Sequence, residues 1–151
     1  MNQRTFTVKC IMICLCLLSL SIKLASSCKC RPYPKDATAE ELTKDYREVF
    51  TAEILFTEEY KSKHTIDVLV KVSSVIKSDV DIKHDAILKL NTCNESACCG
   101  VNFKEGESYI IYLSDIDRNV GSCSPTKSLN SKQASEELSK LKKYFNISES
   151  S

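Results

Sequence analysis

The chain has 151 residues, with 21 basic and 20 acidic side chains and a formal net charge of +1. A charge this close to zero, which falls to −2 once the leader described below is lost, suggests no nucleic-acid partner, and the 124 residues that then remain are expected to form one domain. Only three glycines are present and no His-Glu-x-x-His, Gly-x-Ser-x-Gly or phosphate-cradling loop occurs, so the sequence predicts neither an enzyme nor a cofactor site.

At the amino terminus, Arg4 and Lys9 precede an apolar run from Cys10 to Ile22, which Leu24, Ala25, Ser26 and Ser27 close. This is the pattern of a secretory signal peptide, with Ala25 and Ser27 at the two positions a signal peptidase reads. The run is shorter than the roughly 20 residues that span a bilayer, and Ala25 stands where a bacterial lipoprotein signal has leucine. The expectation is export, cleavage after Ser27, and a mature chain of residues 28–151 beginning with the free α-amino group of Cys28. Loss of Arg4, Lys9 and Lys23 brings the net charge to −2. Cys10, Cys14 and Cys16 leave with the leader, and Cys28, Cys30, Cys93, Cys98, Cys99 and Cys123 remain. An even set of six in an exported chain reads as three disulfides. Structural zinc fits poorly, because Cys28 and Cys30 stand too close, Cys98 and Cys99 are adjacent, and His64 and His84 are isolated.

The predicted elements follow in chain order. Thr38 and Glu41 have capping-box spacing ahead of Leu42, which predicts a short helix from about Ala39 to Tyr46. Phe50, Ala52, Ile54 and Phe56 alternate with Thr51, Glu53, Leu55 and Thr57. Ile66, Val68, Val70 and Val72 alternate likewise with Asp67, Leu69, Lys71 and Ser73, so each run reads as a strand with one apolar face. Shorter strands follow at Ala86 to Leu90, Ser108 to Leu113 and Val120 to Cys123, with turns at Gly106 and Gly121. Five such strands predict a mainly β chain closed, or nearly closed, into a barrel. Ala134, Leu138, Leu141 and Phe145 then recur at helical spacing, with Lys132, Glu136, Lys140 and Lys143 opposite. The mixed charge of that helix favours packing on the barrel over lying on a membrane. Asn146 to Ser151 reads as a flexible polar tail. Asn94-Glu95-Ser96 and Asn146-Ile147-Ser148 are N-glycosylation sequons, and Asn146 is the expected better acceptor.

The opening Cys28-Lys29-Cys30-Arg31-Pro32, directly after a signal peptide, resembles the tissue inhibitors of metalloproteinases, which begin with Cys-x-Cys. Glu95-Ser96-Ala97-Cys98-Cys99-Gly100 resembles the Glu-Ser-Val-Cys-Gly segment of that family. Glu107 to Leu113 and Val120-Gly121-Ser122-Cys123 resemble its next two strands, the second ending in a cysteine. The resemblance covers most of the mature chain and implies a single netrin-like domain, a five-stranded oligonucleotide-binding-type Greek-key barrel with flanking helices. It implies bridges from Cys28 to Cys99 or Cys98 and from Cys30 to Cys123, with Cys93 taking the cysteine left over. The family's additional cysteine about ten residues after the Cys-x-Cys pair is missing here, as is the second domain of vertebrate members.

The resemblance further implies a secreted, monomeric inhibitor of extracellular zinc metalloproteases of the matrix or disintegrin type. The α-amino nitrogen and carbonyl oxygen of Cys28 would chelate the target's catalytic zinc and displace its reactive water. Lys29, Cys30, Arg31, Ser96, Ala97 and Cys98 would touch the protease. Lys29 stands where the family has threonine or serine entering the specificity pocket, so an apolar pocket should reject it and a deep or acidic one accept it. The alternative is a netrin-like binding module that recognises another extracellular protein without inhibiting a protease.

Overall fold

A computed structural model describes residues 30, 33–34, 36–60, 64–94, 99–115 and 117–147. Residues 1–27, read above as a signal peptide, together with Cys28, Lys29, Arg31, Pro32, Glu95, Ser96, Ala97, Cys98 and the chain beyond Ile147, lie outside the described residues. Among the described residues are two helices, α1 (Ala39–Thr43) and α2 (Lys132–Tyr144). Six strands accompany them: β1 (Glu48–Tyr60), β2 (Thr65–Ser78), β3 (Ile87–Cys93), β4 (Ser108–Leu113), β5 (Asn119–Val120) and β6 (Lys127–Ser128). They make one curled sheet, a half-barrel in the order β5-β3-β2-β1-β4-β6. All neighbours are antiparallel except β3 and β5, which run parallel.

The curl begins in the β1–β2 hairpin, where the register shifts between Val49 and Phe50, Thr51 and Ala52, and Ile54 and Phe56. An unpaired extra residue bends a strand and raises its twist, which lets this long ribbon wrap on itself. Inside the curl, Phe50, Ala52 and Ile54 meet Val68, Val70 and Val72, with Leu90 from β3 and Tyr109, Ile111 and Leu113 from β4. Each fully buried Ile, Leu or Val contributes about 1.5–3 kcal/mol by leaving water.

A second core lies outside the sheet, under the helices. Val49, Ile76, Ile110 and Tyr112 point outward to Leu42 and Ala39 of α1 and to Ala134 and Leu141 of α2. The expectation of one apolar face per strand therefore fails for β4 and the start of β1, whose alternating residues are buried on both sides. The helices supply the second layer, so the outward positions leave water as well.

Other sequence expectations also shift. The alternation puts Phe56 on the same apolar face as Ile54, yet it is 52% exposed. Ile54 pairs with Val70 and Phe56 with Leu69, so Leu55 is the extra residue and the strand's alternation reverses after it. The first helix keeps its capping box, with Glu41 N donating to Thr38 Oγ1 and Thr38 N to Glu41 Oε2. It stops at Thr43 rather than Tyr46, because Lys77 Nζ donates to the carbonyls of Thr43 and Tyr46 and closes that end. Tyr46 instead sets its ring edge-on to Tyr112 and bonds Tyr33 through its hydroxyl at 2.8 Å.

The strand expected to run to Cys123 ends at Val120, since Gly121 pairs with Gly100 rather than with β3. The sixth strand, β6, was not anticipated. Finally, the chain at Asn146 and Ile147 is not a loose tail. Asn146 has φ 53° and donates to Lys143 O, while Ile147 N donates to Lys142 O and the Ile147 side chain packs on the second core. This is a Schellman closure of α2 with asparagine in the left-handed position.

Candidate functional site

Strand directions gather the cysteine-bearing segments at one end of the half-barrel. β2 starts where β3 ends, with Thr65 opposite Cys93. β5 runs parallel to β3 and ends beside it, with Val120 opposite Thr92. The β1–β2 turn, the exit of β3 and the exit of β5 therefore meet there. Buried Thr92 links them: its hydroxyl donates to Val120 O at 2.7 Å and accepts from Val101 N at 2.8 Å.

The chain after β3 folds back tightly. Cys99 has φ 61°, Gly100 forms an isolated antiparallel bridge with Gly121, and Ser122 N donates to Cys99 O at 2.6 Å. The next residue, Cys123, is joined to Cys30 with an S–S distance of 2.06 Å and a Cα–Cα distance of 5.0 Å. The Ser122 hydroxyl lies 3.8 Å from Cys30 Sγ and donates, since a bonded sulfur carries no hydrogen. Residue 30 thus sits one residue away from the strut that holds Cys99. Cys93 and Cys99 each take part in a disulfide as well.

The β1–β2 turn contributes contacts that the sequence did not suggest. Asn94 N donates to His64 O at 3.2 Å, Cys93 Sγ lies 3.1 Å from that same carbonyl, and Asn94 Nδ2 donates to Glu59 Oε1 at 2.7 Å. No residue type announces this neighbourhood, because it depends on the register of β1, β2 and β3.

Of the residues assigned to protease contact, Cys30 is half-buried in this cluster, while Cys28, Lys29, Arg31, Ser96, Ala97 and Cys98 lie outside the described residues. Cys30 and Cys123, paired by the resemblance, are bonded. Asn94 is half-buried at the cluster and Asn146 is exposed at the end of α2. Among the described residues, no group of three His, Cys, Asp or Glu side chains could hold a metal ion.

Beside the Cys30–Cys123 bridge, a cleft of about 310 Å³ opens between residues 122–127, Tyr33 and α2. Its floor carries a buried polar chain in which Tyr112 Oη donates to Glu137 Oε1 and Lys127 Nζ to Glu137 Oε2, each at 2.7 Å. Burial, and then the neighbouring Glu137 carboxylate, push the Tyr112 hydroxyl's pKa well above the ordinary tyrosine value of 10.0. Burial and the Tyr33 hydroxyl do the same for Tyr46. The Tyr112 hydroxyl ties α2 to the sheet through Glu137, and the Tyr46 hydroxyl holds Tyr33.

The chain matches no protein-family model and no curated protein. Among the described residues, no helix is long and apolar enough to cross a membrane.

Proposed function

We propose that the chain is an exported inhibitor of zinc metalloproteases, similar to the tissue inhibitors of metalloproteinases. In this reading the leader leaves after Ser27, and Cys28 offers its amino nitrogen and carbonyl oxygen to the zinc of the target protease. The α-amino group has an ordinary pKa near 7.7–8.0, so presenting it uncharged at neutral pH costs only about 1 kcal/mol. The sheet is read as a netrin-like, oligonucleotide-binding-type barrel. Closure of β5 on β4 would complete its Greek key, and β6 is an annex beside β4.

One observation carries the reading. The Cys30–Cys123 bridge holds the chain, two residues after Cys28, against the end of the half-barrel that also bears Cys93 and Cys99. An inhibitor acting through its amino terminus needs that terminus fixed on a rigid platform, since rigidity lowers the entropy lost on binding. The test is a comparison of the chain starting at Cys28 with one carrying an extra alanine before it, against matrix, disintegrin-type and astacin-type proteases. Inhibition by the first and its loss in the second is the expected result. Failure of the Cys28 form against every protease, with its bridges verified, removes the proposal.

A second reading, a netrin-like binding module without inhibitory action, has its own support. Phe56, Leu69 and Ile87 lie exposed on neighbouring strands, with Phe56 directly opposite Leu69. Contiguous exposed apolar side chains mark surfaces that meet other molecules.

A further inference from the structure

We infer that Asn146 carries an N-linked glycan when the chain is exported and that Asn94 does not, although both stand in a sequon. The proposal rests on export and not on protease inhibition. Asn146 is the left-handed residue that closes α2, with φ 53°. Its backbone N–H is used by Lys143 O. Its side chain is exposed and makes no hydrogen bond among the described residues, so Nδ2 stands free on the surface. Asparagine is the residue other than glycine that best tolerates this conformation, so the position suits both the fold and the modification.

Asn94 differs at both amide atoms. Its Nδ2 donates to Glu59 Oε1 at 2.7 Å, and its Oδ1 is sealed from solvent without a partner. A substituted amide is planar and trans, which places the new carbon on the same side as the carbonyl oxygen. A sugar on Asn94 would therefore need the space beside Oδ1, which protein atoms fill, while Glu59 holds the amide in place. Asn146, by contrast, is exposed. In the transfer step, Asn146 Nδ2 attacks the anomeric carbon of a lipid-linked oligosaccharyl diphosphate. A C–N bond forms, the C–O bond to the diphosphate breaks, the lipid diphosphate leaves with the electron pair, and the amide gives up one proton to a base of the transferase. No oxidation or reduction is involved.

The experiment is to express the full chain in secretory eukaryotic cells, once with its own leader and once with residues 1–27 replaced by an established secretion leader. Secreted protein is then treated with peptide N-glycosidase in heavy-oxygen water, which turns a glycosylated asparagine into a mass-tagged aspartate. The expected result is a tag on Asn146 alone, with the glycan band lost in Ser148→Ala and kept in Asn94→Gln. Ser148→Ala removes the sequon and leaves the left-handed asparagine intact, so folding and glycan occupancy are separated. A tag on Asn94, or secreted protein with no tag, overturns the proposal.

Discussion

A Cβ placed on Gly100 would lie 1.6 Å from the carbonyl oxygen of Cys93. The two backbones touch because Gly100 turns back from its bridge with Gly121 directly over the end of β3. No rotamer relieves a clash between a Cβ and a backbone carbonyl, so the chain at residue 100 must move off the end of β3 at Cys93. Gly100→Ala should lose about 3 kcal/mol or more of stability. Denaturant unfolding with disulfides intact measures it, and a loss under 1 kcal/mol would show that the contact is not needed.

The Cys30–Cys123 bridge spans 93 residues of sequence. In the chain-entropy account a loop of that size is worth about 4–5 kcal/mol. The double change Cys30→Ala with Cys123→Ala should lower the unfolding free energy by that order. It should also weaken any inhibition more than it weakens the fold, since residue 30 loses its attachment. Equal loss of both would argue that the bridge serves stability alone.

Tyr112→Phe removes the hydroxyl that donates to buried Glu137 and should cost about 1–3 kcal/mol. The same hydroxyl gives an alkaline signature. Its folded pKa is raised above the unfolded value of 10.0, so the stability it supplies is complete below about pH 10 and is lost as the pH rises beyond it. Ultraviolet titration should show late tyrosine ionisation coincident with unfolding, and the Phe form should show a smaller pH dependence there. A tyrosinate signal in full, before any unfolding, contradicts this.

At the acid end, backbone and side-chain hydrogen bonds from Thr38 hold the Glu41 carboxyl below its ordinary value of 4.5. A lowered folded pKa means that the contribution is present above about pH 4.5 and fades as the pH falls through the folded value. Thr38→Ala should lower the melting temperature at pH 7, and the gap to the unmodified chain should narrow toward pH 3. A gap independent of pH would mean that the capping box is not formed in solution.

Lys29→Thr tests the proposal that the side chain after Cys28 enters the protease pocket. Burying an unpaired ammonium costs several kcal/mol, so the threonine form should inhibit proteases with apolar pockets about tenfold or more tightly, and those with acidic pockets less tightly. Inhibition constants across such a pair of proteases decide it. No change in either would place residue 29 outside the pocket.

The period-two apolar runs made the hairpin and β4 legible, since Val68, Val70, Val72, Ile54 and Ile111 had to turn one way. Thr38 and Glu41 announced α1, and Leu138 and Leu141 announced α2. The bulge at Leu55 left no trace because no glycine marks it, and Phe56 was misplaced as a result. Lys127 and Ser128 form a two-residue strand with no apolar signal. Glu136 and Glu137 read alike, yet only Glu137 turns inward to Tyr112 and Lys127. Of the site, the pairing of Cys30 with Cys123 came from resemblance and not from spacing. The approach of Glu59 and His64 to Asn94 was beyond reach, because it depends on the register of three strands.

The long reach of the Cys30–Cys123 bridge also sets a timetable. Synthesis adds about 5–20 residues per second, so Cys30 waits on the order of 5–20 s after it is made before Cys123 exists. Meanwhile β1 and β2, neighbours in sequence, can pair early, whereas β4 must return from far along the chain. In an oxidising compartment the early cysteines face premature pairing throughout that interval. If the chain is exported as proposed, its productive folding should depend on thiol exchange to undo wrong pairs, and its yield should respond to an isomerase more than to temperature.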